Sequence, residues 1–136
     1  MITFKKVKVC FLLIFIFLNI FYIAPCYSST LREDLFKSAL DLTSGGKFNQ
    51  ALQEWNRYLD SYPNDAAGLS NRGNVRLVIG DVEGAIDDQN NAISLNPNEI
   101  DPYINRGIAE EALGQWSQAK TDYLFVISQD LSLIHI

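Results

Sequence analysis

Cysteine is nearly missing from this chain, and histidine more so. Among 136 residues only Cys10 and Cys26 carry a thiol, and His135 is the single imidazole. Everything after the first thirty residues therefore lacks a disulfide framework, a thiol nucleophile and a Cys/His metal site. Positive charge is scarce too, with 11 Lys and Arg against 16 Asp and Glu and a formal net charge of −5. Three of those cations are Lys5, Lys6 and Lys8, so the remainder has 8 basic against 16 acidic residues, a balance of −8. Such a surface repels nucleic acid and anionic lipid, and ordinary solubility also asks for it. Asp87 with Asp88 and Glu110 with Glu111 are adjacent acids. Helix neighbours diverge by about 100°, so they cannot serve one substrate as a pair and are read as solvated faces. Gly80-Asp81-Val82-Glu83-Gly84 lacks the ligand series of a calcium loop and is read as a turn and a helix start. No catalytic residue, cofactor or metal is expected.

Long apolar runs are also absent, with one exception at the start. Lys5, Lys6 and Lys8 precede an apolar stretch from Val9 to Ala24, broken only by Asn19, and small or polar residues follow from Pro25 to Thr30. That order is the charged, hydrophobic and cleavage regions of a secretory leader. Residues 1–28 are read as a signal peptide cut after Cys26 or Ser28. The alternative is a retained anchor, because the run approaches the roughly 17 to 25 residues of a spanning helix. A lipoprotein reading would use Cys26, but Pro25 stands where a small residue is expected. Export to a periplasm, a thylakoid lumen or the outside follows, with membrane contact only through residues 9–24 if the leader is kept.

What the rest of the chain does have is a period. Gly46, Gly80 and Gly114 lie thirty-four residues apart, as do Ala51, Ala85 and Ala119, and Pro63 is answered by Pro97. Blocks at residues 32–65, 66–99 and 100–133 each hold two helical patterns around a glycine turn. Ala39, Gly73 and Gly107 share one register and Ala51, Ala85 and Ala119 another, as close helix crossing requires. The larger core residues are expected to be Leu35, Leu69 and Tyr103, then Phe48, Val82 and Trp116, then Leu59, Ile93 and Ile127. Prolines 63 and 97 end the second helices. Thr30 with Glu33 could form a capping box.

These blocks resemble tetratricopeptide repeats, through the small residue at the eighth position, alanine at the twentieth and proline at the thirty-second. The central block is the nearest match, with Asn71-Arg72-Gly73-Asn74, Gly80-Asp81, Ala85-Ile86, Ala92-Ile93 and Asn96-Pro97. The first departs from the pattern at Gly45 and at Tyr58, where a small residue is usual. The resemblance implies an all-α, right-handed superhelix of helix pairs.

It also implies a concave groove lined by first-helix residues. By register these are Glu33, Phe36, Lys37, Leu40, Thr43 and Ser44; then Ala67, Ser70, Asn71, Asn74, Leu77 and Val78; then Asp101, Ile104, Asn105, Ile108, Glu111 and Ala112. Phe36, Lys37, Leu40, Ser70, Asn71, Asn74, Leu77, Asp101, Ile104, Asn105 and Ile108 are the candidate binding residues. Asn71 and Asn105 share a register and offer both donor and acceptor to an extended peptide, or else satisfy helix ends or water. Phe36, Leu40, Ile104 and Ile108 supply apolar pockets or belong to the core. A subfamily clamps the terminal carboxylates of chaperone peptides with lysine, arginine and asparagine. Only Asn71 agrees with it, while Phe36, Leu40, Asp101 and Asn105 fill the other positions, so such termini are expected not to bind.

The third block fails where Leu131 replaces proline, and the chain closes Leu131-Ser132-Leu133-Ile134-His135-Ile136. This ending is expected to be a break in a longer reading frame with more repeats beyond it, or else an apolar docking tail. The resemblance implies a scaffold that binds a protein or peptide and catalyses nothing. The alternatives are a membrane-anchored assembly factor, as in some exported repeat proteins of photosynthetic membranes, and a regulatory segment of a longer enzyme.

Overall fold

The computed structural model describes the backbone of residues 30–134 and the side chains of residues 30–129. The leader of residues 1–28, Cys10, Cys26 and His135 lie outside the described residues. Chain contacts divide the protein after Leu35, and the helix pairs below are built from Phe36 onward.

Six helices and no strand occur among the described residues. Residues 30–44 are helical (α1), followed by α2 (Phe48–Ser61), α3 (Ala66–Val78), α4 (Val82–Leu95), α5 (Asp101–Ala112) and α6 (Trp116–Ile134). Each helix packs on the next in order from α2, and α3 also reaches α5 past the intervening α4. This is the all-α solenoid that the period predicts. None of the described helices is long and apolar enough to cross a membrane.

The three turns inside the pairs are copies of one another. Gly46, Gly80 and Gly114 have φ of 70°, 91° and 73°, a region that costs a side-chain-bearing residue but not glycine. At each, the residue after the glycine donates its N–H to the carbonyl five positions back: Lys47 to Leu42 (3.0 Å), Asp81 to Arg76 (2.9 Å), Gln115 to Glu110 (2.8 Å). The glycine N–H reaches three back, which completes a Schellman motif. Two helix starts carry a side-chain cap: between pairs, Asp65 accepts from the Gly68 N–H at 2.8 Å, and inside the central pair Asp81 accepts from the Gly84 N–H at 3.1 Å. Asp81 thus caps the start of α4. Thr30 is already helical, so it does not precede α1 as a cap. Proline stops α2 and α4 at 14 residues each, whereas α6, with Leu131 at that register, runs on for 19.

Helices cross where side chains are smallest. Ala39, Ala51, Ala85 and Ala119 are each 1% exposed or less. A Cβ on Gly73 would lie 2.6 Å from Gln89 Nε2 and 3.2 Å from the Ala85 carbonyl, so a methyl group there would displace α4. Tyr58, which departs from the small residue usual at its register, is fully buried because Gly68 makes room: a Cβ there would lie 2.8 Å from its ring. One period later small Ala92 stands at the register of Tyr58 and larger Pro102 at that of Gly68, both buried.

The expected core needs correction at its far end. Leu59 and Leu69 are buried, and Phe48, Val82, Ile93 and Tyr103 are half-buried, but Trp116 is 65% and Ile127 53% exposed. α2 and α4 turn the equivalent face toward the next helix pair, as Leu59 does against Gly68. No described helix covers that face of α6.

Candidate functional site

A second correction concerns the charged residues, and it explains how α3 and α5 are held. Asp88 and Glu110, expected on solvated faces, are buried, Asp88 to 1% exposure. Arg72 donates to Asp88 through Nε (2.9 Å) and Nη2 (2.6 Å), and through Nη1 to Asn56 Oδ1 (3.1 Å). One period later Arg106 does the same to Asp122 (2.8 and 2.6 Å) and Asn90 (2.7 Å). Each arginine sits sixteen residues from both partners, so it ties its own helix pair together and fastens it to the preceding pair. A planar guanidinium gripped bidentately fixes angle as well as distance.

The two copies differ four residues after the arginine. Arg76 adds a second cation to Asp88 at 3.0 Å, whereas Glu110 adds a second acid beside Arg106 at 4.0 Å. Glu110 Oε2 is buried with no hydrogen-bond partner among the described residues. Burial pushes its carboxyl above the ordinary 4.5, Asp122 pushes the same way, and Arg106 opposes both. Arg106 is held charged chiefly by its hydrogen bond to Asp122.

With α3 and α5 so placed, their N-terminal halves face each other across a cleft of about 400 Å³. Ala66, Ala67, Ser70, Asn71 and Asn74 of α3 form one wall, Asp101, Pro102 and Asn105 of α5 the other, and Asn96 and Glu99 of the connecting segment close it. Five candidate residues therefore meet here: Ser70, Asn71, Asn74, Asp101 and Asn105. Gln89 stiffens the floor from behind, donating through Nε2 to the Ser70 carbonyl at 3.0 Å and to Asn74 Oδ1 at 3.4 Å. Asn71 donates to the Ala67 carbonyl at 2.8 Å, which spends one donor on its own helix and leaves Oδ1 free to accept. Asn96 donates to Glu99 at 3.3 Å. Asn105 is half-buried and makes no side-chain hydrogen bond among the described residues.

The other six candidates do not line the cleft. Phe36 stacks edge-on against Trp55 (5.0 Å between ring centres) and Tyr58 (5.3 Å), so it belongs to an aromatic core. Thr43, also assigned to the groove by register, accepts from Trp55 Nε1 at 3.0 Å and so anchors that core. Lys37 is exposed and pairs with Asp41 at 3.1 Å. Leu40, Leu77 and Ile104 are half-buried, and Ile108 is 44% exposed. Asn96 and Glu99 were missed because they lie in the connection between pairs, where a first-helix register does not look. No cluster of potential metal ligands occurs among the described residues.

No family model matches the chain. Among characterised proteins it is 31% identical over 84 residues to the TPR repeat-containing thioredoxin TDX of Arabidopsis thaliana, covering 62% of this chain and 22% of that protein. It is 32% identical over 110 residues to human sperm-associated antigen 1, covering 80% of this chain and 12% of that protein. The chain thus spans under a quarter of either relative. Among solved structures, the first TPR of Spaghetti (RPAP3), bound to the HSP90 peptide SRMEEVD, superposes with a TM-score of 0.69. The match has 26% identity and covers 71% of this chain and 77% of that one.

Proposed function

Since the chain is a tetratricopeptide repeat protein, we propose that it is a non-catalytic scaffold, carried across a membrane, that holds a protein segment between α3 and α5. The observation that carries this reading is the cleft itself. It is concave, it joins two consecutive repeats, and it presents Asn71 and Asn105 at one register with acceptor and donor capacity unspent. Primary amides in such a row suit an extended main chain, whose N–H and C=O groups alternate. The neighbouring structure with a bound HSP90 peptide supports peptide binding by this architecture. Export rests on Lys5, Lys6, Lys8 and the apolar run that follows them.

Recovery of the partner from the native membrane fraction, followed by affinity measurement with the Asn71→Ala, Asn105→Ala double variant, tests the binding site. A loss of about tenfold is expected, on the order of 1.4 kcal/mol. Unchanged affinity in a variant that melts like the parent would remove the cleft from the account. Sequencing the N-terminus of the mature protein tests export: a start at Tyr27 or Ser29 agrees with cleavage, and an intact Met1 with a retained anchor.

A further inference from the structure

We propose that the occupant of this cleft is an extended segment that inserts a basic side chain, best an arginine, between Asn71, Glu99, Asp101 and Asn105. This inference rests on the scaffold reading and adds the chemistry of the partner. The cleft lining contains two carboxylates and no lysine, arginine or histidine. The fixed hydrogen bonds deepen that bias. Asn71 has used a donor on Ala67 and retains its Oδ1 acceptor, while Asn96 orients the Glu99 carboxylate by donating to it. What remains toward the cleft combines two carboxylates with the amide oxygens of Asn71 and Asn105 and no cationic donor. An arginine side chain is the complement, because guanidinium carries five donors and no acceptor.

Helix N-termini carry partial positive charge and by themselves favour an anion. Here the chain answers its own helix starts. Asp65 accepts from the third residue of α3, Asp101 stands in the first turn of α5, and Pro102 removes a donor beside it. α4 meanwhile ends beside Asn96 with no basic residue in its last turn, so its carbonyl end is uncompensated. Each of these terms favours a cation in the cleft, and none favours a carboxylate.

The test is a fluorescence-anisotropy titration of the full chain with three labelled, unstructured peptides identical except for one central arginine, norleucine or glutamate. The arginine peptide is expected to bind best and to weaken when salt is raised, because the contacts at the rim are screened. Glu99→Lys with Asp101→Lys should lower its affinity about tenfold and transfer the preference to the glutamate peptide. That transfer is a gain of binding, which a merely misfolded variant cannot show. Preference of the unaltered protein for the glutamate peptide would overturn the basic-segment inference and leave the scaffold reading standing. Norleucine binding as well as arginine would do the same. Binding of the authentic partner that survives Asn71→Ala with Asn105→Ala would instead remove the cleft as the site, and with it both readings.

Discussion

Asp88 shows how much one side chain decides in this protein. Two arginines converge on a carboxylate 2% exposed, and its removal would leave Arg72 without its counter-charge and Arg76 with Asp81 alone at the junction of α3 and α4. Asp88→Ala is therefore expected to cost about 3 kcal/mol, toward the lower end for a broken buried pair because the arginines keep some contact with water. The urea midpoint should fall accordingly, and a shift within error would show that the pair carries no weight. Glu110 has the opposite character, being a buried acid beside Asp122 that shares a single arginine. Its folded-state carboxyl titrates above the ordinary range, so the native state is favoured by its protonation. That contribution is fully present below about pH 4.5 and is lost as pH rises through the raised value. Glu110→Gln should consequently raise the melting temperature at neutral pH, with a gain that shrinks on acidification toward the ordinary carboxylate range. A variant less stable than the parent at pH 7 would mean that Glu110 is held favourably in its ionised form.

At the scale of the helices, most of the architecture was legible in the sequence. The turn glycines, the small residues at the crossings and the prolines act through local sterics, so their spacing alone places helix ends and contacts. The Asn56, Arg72 and Asp88 set recurs as Asn90, Arg106 and Asp122 at the same thirty-four-residue period, and was equally present to be read. It was missed because charged residues taken singly belong on the surface, and because a sixteen-residue separation joins different helices, outside the reach of helical periodicity. The accommodation of Tyr58 by Gly68 likewise exists only as a contact between pairs. Register also placed Phe36 and Thr43 in a groove, where tertiary packing gives them to the aromatic core around Trp55. The crossing of α3 and α4 can be tested directly. Ala85→Leu, at a site 1% exposed and directly over Gly73, should destabilise by roughly 1 to 3 kcal/mol or more through overpacking. An unchanged melting temperature would contradict the crossing geometry.

For the molecule as a whole, stability and recognition use different parts of the same repeat. The residues that recur hold the solenoid together: Gly73 with Ala85 closes the crossing inside a pair, and Arg72 and Arg106 fasten each pair to the one before it. The cleft uses positions between them, where Asn71 and Asn105 repeat but Ala67 is replaced by Asp101. That substitution separates this surface from a carboxylate clamp, and peptides ending in acidic residues are expected not to bind at micromolar concentration. The central claim is that a partner segment lies across α3 and α5. Its most direct test follows the side-chain amide resonances of Asn71 and Asn105 in a nitrogen-15 spectrum of the full chain while the partner segment is titrated in. Both amide pairs should shift together and saturate with the binding curve. Saturation of binding with both left in place, and shifts confined to α2 or the outer face of α6, would contradict the account.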